Sequence, residues 1–255
     1  MAESKVKVYG RPSVHTDIRL SLGACPGCGH PVAAKAIMEA MDELGIGGRT
    51  VLVGGIGCHV MGFFLANVDM AVGGHGTAPA IATGIKHALY DDAVVITVQG
   101  DGDAAAIGAG YLINAAARAE KITVFMLNNA NYGTTGGQMA PTTILGQVTT
   151  TTPWGRDAAR YGYPMHVPEM LATMRGVVYA ARGSVHNPAN YTRTKKFAKA
   201  ALQKQIDGVG FGFVEILTAC PVDWHMDPLD ALVWMEKRQT VEYPVGEFKN
   251  IDHIE

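Results

Sequence analysis

The stretch Ala-Val-Val-Ile-Thr-Val-Gln-Gly-Asp-Gly-Asp, residues 93–103, decides the fold class of this 255-residue chain. Its first seven residues form a mostly apolar run rich in β-branched side chains, which is typical of a strand buried on both faces of a parallel sheet. The glycines then allow a tight turn, and an Ala-rich segment over 104–119 predicts a helix. A helix that begins beyond the carboxyl end of a parallel strand offers free N–H groups to an anion, so we expect a phosphate site here.

The rest of the chain repeats this alternation of strands and helices. Further buried strands are predicted at residues 50–55, 122–127, 176–180 and 211–217, and further helices at 78–89, 168–175, 192–206 and 228–238. Such alternation predicts an α/β fold with a doubly wound, mostly parallel sheet covered by helices on both faces. Residues 133–164 are rich in Thr, Gly and Pro without periodicity, which indicates an active-site or interface loop. Because no linker or repeat interrupts the pattern, one domain is expected over 1–255.

Charge and hydropathy exclude several classes of protein. Lys and Arg number 21 against 23 Asp and Glu, a formal net charge of −2, which argues against a basic nucleic-acid binder or a membrane-surface protein. The sequence has no apolar run of the ~18 residues that a membrane helix needs, and its first residues lack the apolar core of a signal peptide. We therefore expect a cytoplasmic protein that binds neither nucleic acid nor membrane.

Two short polar motifs indicate a site for Mg²⁺ and a diphosphate. Gly100 and Gly102 allow a ligand to approach the backbone closely, and Asp101 between them can bind a cation. Asn-Asn-Ala-Asn at 128–131 follows the next predicted strand, whose end should lie beside Asp101. A carboxylate, an amide oxygen and a backbone carbonyl suit a six-coordinate Mg²⁺ that also binds phosphate oxygens. Either motif alone is usually a turn or a helix cap, and the Ala at position 105 breaks the Gly-x-Gly-x-x-Gly pattern of nicotinamide dinucleotide sites.

The four cysteines could also form one site. Cys25 and Cys28 flank a tight turn before a helix, and Cys58 and Cys220 each follow a predicted strand. Four thiolates at one edge of a sheet can hold either a tetrahedral zinc ion or a [4Fe–4S] cluster. Reduced thiols without a ligand are a third interpretation, and a redox Cys-x-x-Cys pair would not account for Cys58 or Cys220. Structural zinc sites usually take two close-spaced pairs, whereas only one pair occurs here, so the cluster is favoured.

Further motifs extend over almost the whole chain. They are Cys-Pro-Gly-Cys-Gly-His at 25–30, Gly-Ile-Gly-Cys at 55–58, His-Gly-Thr-Ala at 75–78, Gly-Asp-Gly-Asp at 100–103, Asn-Tyr-Gly-Thr-Thr-Gly-Gly-Gln at 131–138, Pro-Thr-Thr at 141–143, Val-Glu-Ile-Leu at 214–217 before Cys-Pro at 220–221, and Tyr-Pro-Val-Gly-Glu-Phe-Lys at 243–249. In this order they resemble the β subunit of 2-oxoacid:ferredoxin oxidoreductases, and Gly-Asp-Gly with Asn-Asn resembles the diphosphate-binding signature of thiamine-diphosphate enzymes. The resemblance implies a thiamine-diphosphate-binding fold. It also implies Mg²⁺ on Asp101, Asn129 and the Asn131 carbonyl, and one [4Fe–4S] cluster on Cys25, Cys28, Cys58 and Cys220.

The resemblance also implies a reaction. In that family, a 2-oxoacid is oxidatively decarboxylated to acyl-CoA and CO2, with coenzyme A as co-substrate and electrons passed through the cluster to ferredoxin, or the reaction runs in reverse. The motifs look most like those of the 2-oxoglutarate and branched-chain 2-oxoacid members, and pyruvate stays open as a substrate. The alternatives are a non-redox thiamine-dependent decarboxylase or synthase subunit, and a zinc-stabilised non-catalytic subunit.

The resemblance assigns site residues as well. Cofactor contacts are expected from Ile56, Gly57, Cys58, His59, His75, Gly76, Gly100, Asp101, Gly102, Asp103, Asn129, Asn131, Gly133 and Thr134. The candidate catalytic residues are His59 and His75, for the diphosphate or the substrate carboxylate, and Thr134 and Thr135, beside the reacting carbon. Either histidine could instead pack beside a glycine turn. Some family members have Asn or Met at position 134 and Lys at 136, so Thr134 and Gly136 weaken any inference about the substrate.

Two elements of such an enzyme are absent from the sequence. No Glu can be placed against the aminopyrimidine ring of thiamine, and in the family a partner α subunit supplies it. The repeated Cys-x-x-Cys-x-x-Cys runs of a two-cluster ferredoxin domain do not occur. We therefore expect a hetero-oligomer with an α subunit, in which electrons leave either through another subunit, such as a γ or ferredoxin-like δ subunit, or directly to ferredoxin.

Overall fold

A seven-stranded, mostly parallel sheet forms the centre of the computed structural model, which describes residues 24–63, 66–89 and 92–255. The strands are β1 Thr50–Gly54, β2 Asp69–Val72, β3 Val94–Gly100, β4 Thr123–Asn128, β5 Val177–Ser184, β6 Phe211–Leu217 and β7 Gly246–Asn250. Their order across the sheet is β2-β1-β3-β4-β6-β5-β7. All neighbours are parallel except β5 and β7, which are antiparallel.

Helices connect the strands. They are α1 His30–Leu44, α2 Cys58–Phe63, α3 Ala78–Ala88, α4 Ala109–Ala117, α5 Ala158–Tyr161, α6 Val167–Ala172, α7 Pro188–Ile206, α8 Pro228–Trp234 and α9 Thr240–Glu242. Short 3-10 and π-helical turns occur at Gly47–Arg49, Asp103–Ile107 and Met235–Gln239. Among the described residues, no helix is both long and apolar enough to cross a membrane.

The core lies on both faces of the sheet because successive side chains of a strand point in opposite directions. Leu52, Ile96 and Phe125 belong to one buried cluster, which they share with α1 and α7. Their chain neighbours Val53 and Val95 belong to the opposite cluster, which includes residues of α3, α4 and α6. The predicted α/β fold with a doubly wound, mostly parallel sheet is therefore confirmed.

The predicted elements agree closely with the observed ones in the centre of the sheet. Strand β6 begins and ends at the predicted residues, and β1, β3 and β4 agree to within one residue. The predicted strand stopped at residue 180 because polar residues follow, whereas β5 continues to Ser184. Arg182 and Ser184 are fully buried in it although they are polar. Helix α7 begins at Pro188 rather than at 192, since the Asn187 side chain caps it by accepting a hydrogen bond from the Asn190 N–H.

The larger differences lie at the edges and at helix ends. Strands β2 and β7 were not predicted, because both are short, partly exposed edge strands without a long apolar run. The helix predicted at 104–119 begins as a π turn and ends at Ala117, and the one predicted at 228–238 is interrupted by the second π turn. Segment 133–164 is irregular, as predicted, apart from the four-residue α5. The expectations that concern residues 1–23, the signal peptide and the start of the domain, lie outside the described residues.

Candidate cofactor site at the carboxyl edge of the sheet

The turns that follow β1, β3 and β4 enclose a cavity of about 100 Å³. Parallel pairing places Gly54 opposite Val98 and Gly100 opposite Leu127, so the carboxyl ends of the three strands meet at one edge. The predicted residues that line the cavity are Ile56, Gly57, Cys58, His59, His75, Gly100, Asp101, Gly102, Asp103, Asn129, Asn131, Gly133, Thr134 and Thr135. Gly76, predicted to contact the cofactor, lies outside this lining, as do three of the four predicted cluster ligands, Cys25, Cys28 and Cys220.

Asp101 is the buried acid of the cavity. Its side chain is 2% exposed. One carboxylate oxygen accepts a hydrogen bond from the Gly102 N–H at 2.9 Å, and the other accepts one from the Thr142 hydroxyl. Burial raises the pKa of Asp101 to about 7, although these two hydrogen bonds lower it in part. A cation beside the carboxylate would favour its ionised form, so this side chain is suited to bind one.

The Asn129 side chain and the Asn131 carbonyl add oxygens to Asp101. Asn129 Oδ1 lies 2.7 Å from the Asn131 backbone oxygen and 3.3 Å from Asp101 Oδ1. Turned by 180°, the amide would donate hydrogen bonds to both oxygens, and this is the satisfied orientation when no cation is bound. A divalent cation would instead favour the orientation that brings the Asn129 oxygen beside Asp101 Oδ1 and the Asn131 carbonyl. A carboxylate, an amide oxygen and a backbone carbonyl are ligand types that Mg²⁺ takes in proteins. The residues present therefore fit Mg²⁺.

Asp103 joins the turns around the cavity. Its Oδ1 accepts hydrogen bonds from the Gly76 N–H at 2.8 Å and the Ile56 N–H at 3.3 Å, and its Oδ2 accepts one from the Gln99 amide at 2.7 Å. His75 Nδ1 lies 2.6 Å from the same Oδ1. Contacts within the protein thus occupy much of this carboxylate, and its observed role is to hold the segments after β1, β2 and β3 together.

Two buried histidines line the cavity with unpaired ring nitrogens. His30, the first residue of α1, is 4% exposed, and neither ring nitrogen has a hydrogen-bond partner among the residues that the structure describes. His59 is 2% exposed, and within the same described residues its Nε2 has no partner. Burial lowers the pKa of His30 to about 4 and that of His59 to about 3, the latter with help from the neighbouring histidines. Both rings are therefore neutral near pH 7 and can each donate one hydrogen bond and accept another.

The four thiols come from three segments that meet beside the cavity. Burial is the main cause that raises the pKa of Cys28 to about 11, and the nearby Cys58 and Cys25 contribute to this rise. The pKa of Cys220 is also raised, mainly by burial and in part by Asp223 and Cys28. Backbone hydrogen bonds of 3.0 Å join the Cys28 N–H to the Cys25 carbonyl and the Gly29 N–H to the Ala219 carbonyl, so Cys28 lies beside Cys25 and the segment that carries Cys220.

Hydrogen bonds to the sulfurs define the surroundings of this group. Cys58 Sγ lies 2.9 Å from Thr134 Oγ1, Asn131 Nδ2 points at Cys220 Sγ from 3.9 Å, and Cys220 Sγ is 3.2 Å from an Asp223 oxygen. Within the part of the chain that the structure describes, no three His, Cys, Asp or Glu side chains surround one point at the distances of a single metal ion. Four thiols are the ligand set that a [4Fe–4S] cluster takes, and its irons would offset the cost of partly buried thiolates, so the chemistry of these residues fits a cluster.

The two candidate catalytic threonines are exposed at the mouth of the cavity. Thr134 contacts Cys58, as described, while the Thr135 hydroxyl donates to Gln138 Oε1 at 2.5 Å. Gly136 and Gly137 follow at φ +103° and +75°, in the left-handed region that favours glycine. Of the two hydroxyls, only that of Thr134 is in contact with a cysteine among the described residues.

Three residues that belong to this geometry were not predicted as site residues. His30 and Tyr132 line the cavity, and Thr142 donates to Asp101. A Cβ atom on Gly102 would lie 2.1 Å from the Tyr132 ring, which explains the need for glycine there. Each of the three belongs to one of the sequence motifs described above. Only the fold, however, shows that the Thr142 hydroxyl, 41 residues after Asp101 in the sequence, forms a hydrogen bond with its carboxylate.

Comparisons with known proteins agree with this geometry. Residues 55–216 match the family described as "Thiamine pyrophosphate enzyme, C-terminal TPP binding domain". The chain is 45% identical over 226 residues to the ketoisovalerate oxidoreductase subunit VorA of Methanothermobacter thermautotrophicus, covering 89% of this chain and 47% of VorA. It is 36% identical over 200 residues to the 2-oxoglutarate synthase subunit KorB of Methanocaldococcus jannaschii, covering 77% of this chain and 68% of KorB. The chain thus spans about half the length of VorA and two thirds of KorB.

A solved structure gives the same result. The chain superposes with a TM-score of 0.76 and 26% identity on 2-oxoglutarate:ferredoxin oxidoreductase from Magnetococcus marinus, a structure with 2-oxoglutarate, coenzyme A and succinyl-CoA bound. The match covers 94% of this chain and 85% of that one. Fold, motifs and relatives agree, and the chain belongs to the 2-oxoacid:ferredoxin oxidoreductase family, among the subunits that carry the thiamine pyrophosphate-binding domain.

Proposed function

We propose that this chain is the β subunit of a cytoplasmic 2-oxoacid:ferredoxin oxidoreductase and binds thiamine diphosphate, Mg²⁺ and one [4Fe–4S] cluster in a single domain. The complete enzyme would convert a 2-oxoacid and coenzyme A to acyl-CoA and CO2 and reduce ferredoxin, or run in reverse. The observation that supports this most is that the buried Asp101, Asn129 and Asn131 line one cavity at the carboxyl edge of the sheet together with Cys58, beside the segments that carry the other three cysteines. Of possible substrates, 2-oxoglutarate and branched-chain 2-oxoacids are favoured because the named relatives act on them.

The Mg²⁺ and diphosphate would bind at the ends of β3 and β4. Asp101, Asn129 and the Asn131 carbonyl would hold the cation, whose charge would keep Asp101 ionised despite its burial. Gly100 and Gly102 would leave room for the phosphates. When bound, thiamine diphosphate supplies the electron sink for decarboxylation and the cluster accepts the electrons.

The histidines and threonines would bind and orient groups in the cavity. Neutral His59 has a free Nε2 for a hydrogen bond, while Asp103 fixes the ring of His75 from 2.6 Å. Thr134 and Thr135 present hydroxyls at the mouth, where a 2-oxoacid would enter. Cys25, Cys28, Cys58 and Cys220 would hold the cluster, with Asn131 and Thr134 as hydrogen-bond partners of two of its sulfurs.

Partner subunits would complete the site. The relatives are named as subunits, which supports an α subunit that supplies the activating glutamate, and γ and ferredoxin-like δ subunits would carry electrons onward to ferredoxin. Coenzyme A in the structure of the Magnetococcus enzyme supports it as the co-substrate here.

The test is 2-oxoacid-dependent dye reduction by the chain together with its partner subunits, without oxygen. We expect reduction that requires coenzyme A and is fastest with 2-oxoglutarate or a branched-chain 2-oxoacid. Decarboxylation without dye reduction would instead identify a non-redox thiamine enzyme. No thiamine binding at all in a complex that contains zinc would identify a non-catalytic subunit.

A further inference from the structure

Residues from two sequence motifs outside the cavity lining surround the buried guanidinium group of Arg182. Val-Glu-Ile-Leu provides Glu215, and Tyr-Pro-Val-Gly-Glu-Phe-Lys provides Tyr243 and Phe248. Arg182 of β5 is fully buried, and its guanidinium carbon lies 5.0 Å from the Tyr243 ring centroid and 5.1 Å from that of Phe248. An arginine buried between two rings is fixed in position.

Arg182 in turn fixes two carboxylates. Its terminal nitrogens donate to the two oxygens of Glu169, each at 2.7 Å, and its Nε donates to Glu215 Oε2 at 2.5 Å. Glu215 is fully buried, and this cation accounts for a charge at that depth. Glu215 Oε2 therefore accepts its hydrogen bond from Arg182, and Oε1 remains available to a second donor.

That second oxygen reaches the loop that carries the proposed magnesium ligands. Glu215 Oε1 accepts a hydrogen bond from Asn128 Nδ2 at 2.6 Å. With its nitrogen directed at Glu215, the Asn128 amide directs its oxygen the other way, where it accepts from the Ala130 N–H at 2.9 Å. Ala130 has φ +57°, a conformation that a residue with a Cβ adopts only when its surroundings enforce it. This turn sets Asn129 and the Asn131 carbonyl beside Asp101.

The residue at position 215 must accept a hydrogen bond from each of two neighbours at once. The Arg182 Nε–H and the Asn128 Nδ2–H are both donors, and a carboxylate offers an oxygen to each. A glutamine of the same shape would direct its NH2 group at either Arg182 or Asn128. If it faced Asn128, the Asn128 amide would have to rotate to accept that hydrogen bond, and its own NH2 group would then face the Ala130 N–H, another donor.

We propose that Glu215 is a positioning residue of the magnesium–diphosphate site: it fixes the Asn128 amide, and through it the Ala130 turn that aims Asn129 and Asn131 at the cation. This inference rests on the proposed function, because it assigns Glu215 to the site where Mg²⁺ would bind. Arg182 and its aromatic neighbours anchor the arrangement from the far side of β6.

The test is the Mg²⁺ concentration required for thiamine diphosphate binding by the full chain in complex with its partner subunits, with the free energy of unfolding measured in parallel. For Glu215→Gln we expect this concentration to rise about 10-fold or more, as for loss of other groups that orient a metal ligand. The matched control is Glu169→Gln, which changes the other carboxylate on Arg182 but does not contact Asn128. Because Glu169 is partly exposed whereas Glu215 is fully buried, Glu169→Gln should lower stability less, and it should leave the Mg²⁺ requirement within about 2-fold of the wild type.

A paired variant separates positioning from stability. Asn128→Asp alone would place two acceptors face to face and should also raise the Mg²⁺ requirement. In Asn128→Asp/Glu215→Gln the new amide can donate to the new carboxylate, which still accepts from the Ala130 N–H, so most of the wild-type Mg²⁺ dependence should return. This pair keeps the test decisive even if Glu215→Gln does not fold alone.

The outcomes distinguish this inference from the function on which it rests. An unchanged Mg²⁺ requirement in Glu215→Gln or Asn128→Asp, or equal changes in Glu215→Gln and Glu169→Gln, would overturn the positioning role. Failure of the wild type to bind thiamine diphosphate with Mg²⁺ would overturn the proposed function itself.

Discussion

The site has two halves that are held in place differently. The cation half consists of Asp101, Asn129 and the Asn131 carbonyl, and the cysteine half consists of Cys25, Cys28, Cys58 and Cys220. Asp101 and Asn129 are 2% and 4% exposed and follow directly on strands at the centre of the sheet. Among the cysteines, Cys25 is exposed and the other three are partly exposed, and they come from three segments that are distant in sequence. Strand ends thus set the cation half before any ligand binds, while the cysteine half would depend on the proposed cluster to fix the thiols. Loss of one ligand should therefore have local effects in the first half and wider effects in the second.

The largest expected effect is on the cation half. Asp101→Ala removes the proposed charged ligand, and we expect at least ~100-fold weaker thiamine diphosphate binding, since even groups that only orient a metal ligand contribute 10–100-fold. Iron content should not change. Equilibrium dialysis with Mg²⁺, together with iron analysis, measures both. Asp157→Asn, at the cap of α5, is the matched control and should bind as the wild type does. Retention of thiamine by Asp101→Ala would refute the assigned cation site.

The cysteine half should respond more broadly. Cys220→Ser replaces a partly exposed thiol, and we expect loss of most iron and of the visible absorption, together with lower stability because the segments lose their common ligand. Thiamine diphosphate binding should fall far less than in Asp101→Ala. Iron content and the spectrum measured without oxygen test this. Full iron content with an unchanged spectrum would remove Cys220 from the ligand set.

Acid should destabilise the protein through its buried histidines. The pKa of His59 is lowered by burial to about 3, so the unfolded chain binds a proton there that the folded chain does not. Stability contributed by the neutral ring is therefore present above about pH 6.5 and is lost as the pH falls toward the folded pKa, by up to ~1.4 kcal/mol per pH unit. His59→Asn should flatten the fall in unfolding free energy between pH 7.5 and 5.5. Equal slopes in the two proteins would show that His59 is not buried as a neutral ring.

The smallest expected effect is on the reduction potential of the proposed cluster. Thr134→Val removes the hydroxyl 2.9 Å from Cys58 Sγ, and we expect full iron content with a more negative reduction potential, since hydrogen bonds to sulfur stabilise the reduced cluster. Thr135→Val is the control because its hydroxyl bonds to Gln138 instead. A redox titration compares the two variants, and identical potentials would mean that the Thr134 contact does not reach the cluster.

The same contrast explains what could be predicted from the sequence. The apolar run at 211–217 matched β6 because all of its side chains are buried, and the proximity of Asn129 to Asp101 followed from parallel strands with a common edge. The contact between Thr142 and Asp101 could not be predicted, because it depends on the path of an irregular loop. Nor could the Arg182–Glu215–Asn128 chain, since it requires β6 to lie between β4 and β5, and sequence order does not reveal that arrangement.

The most direct test of the account is the content of iron, acid-labile sulfide, zinc and thiamine diphosphate per chain, measured on the complex purified without oxygen. We predict about four iron and four sulfide with no zinc, as one [4Fe–4S] cluster requires, and one thiamine diphosphate that is lost when Mg²⁺ is removed. About one zinc with no iron would contradict the electron-transfer role of the cysteine half and leave at most a non-redox thiamine enzyme.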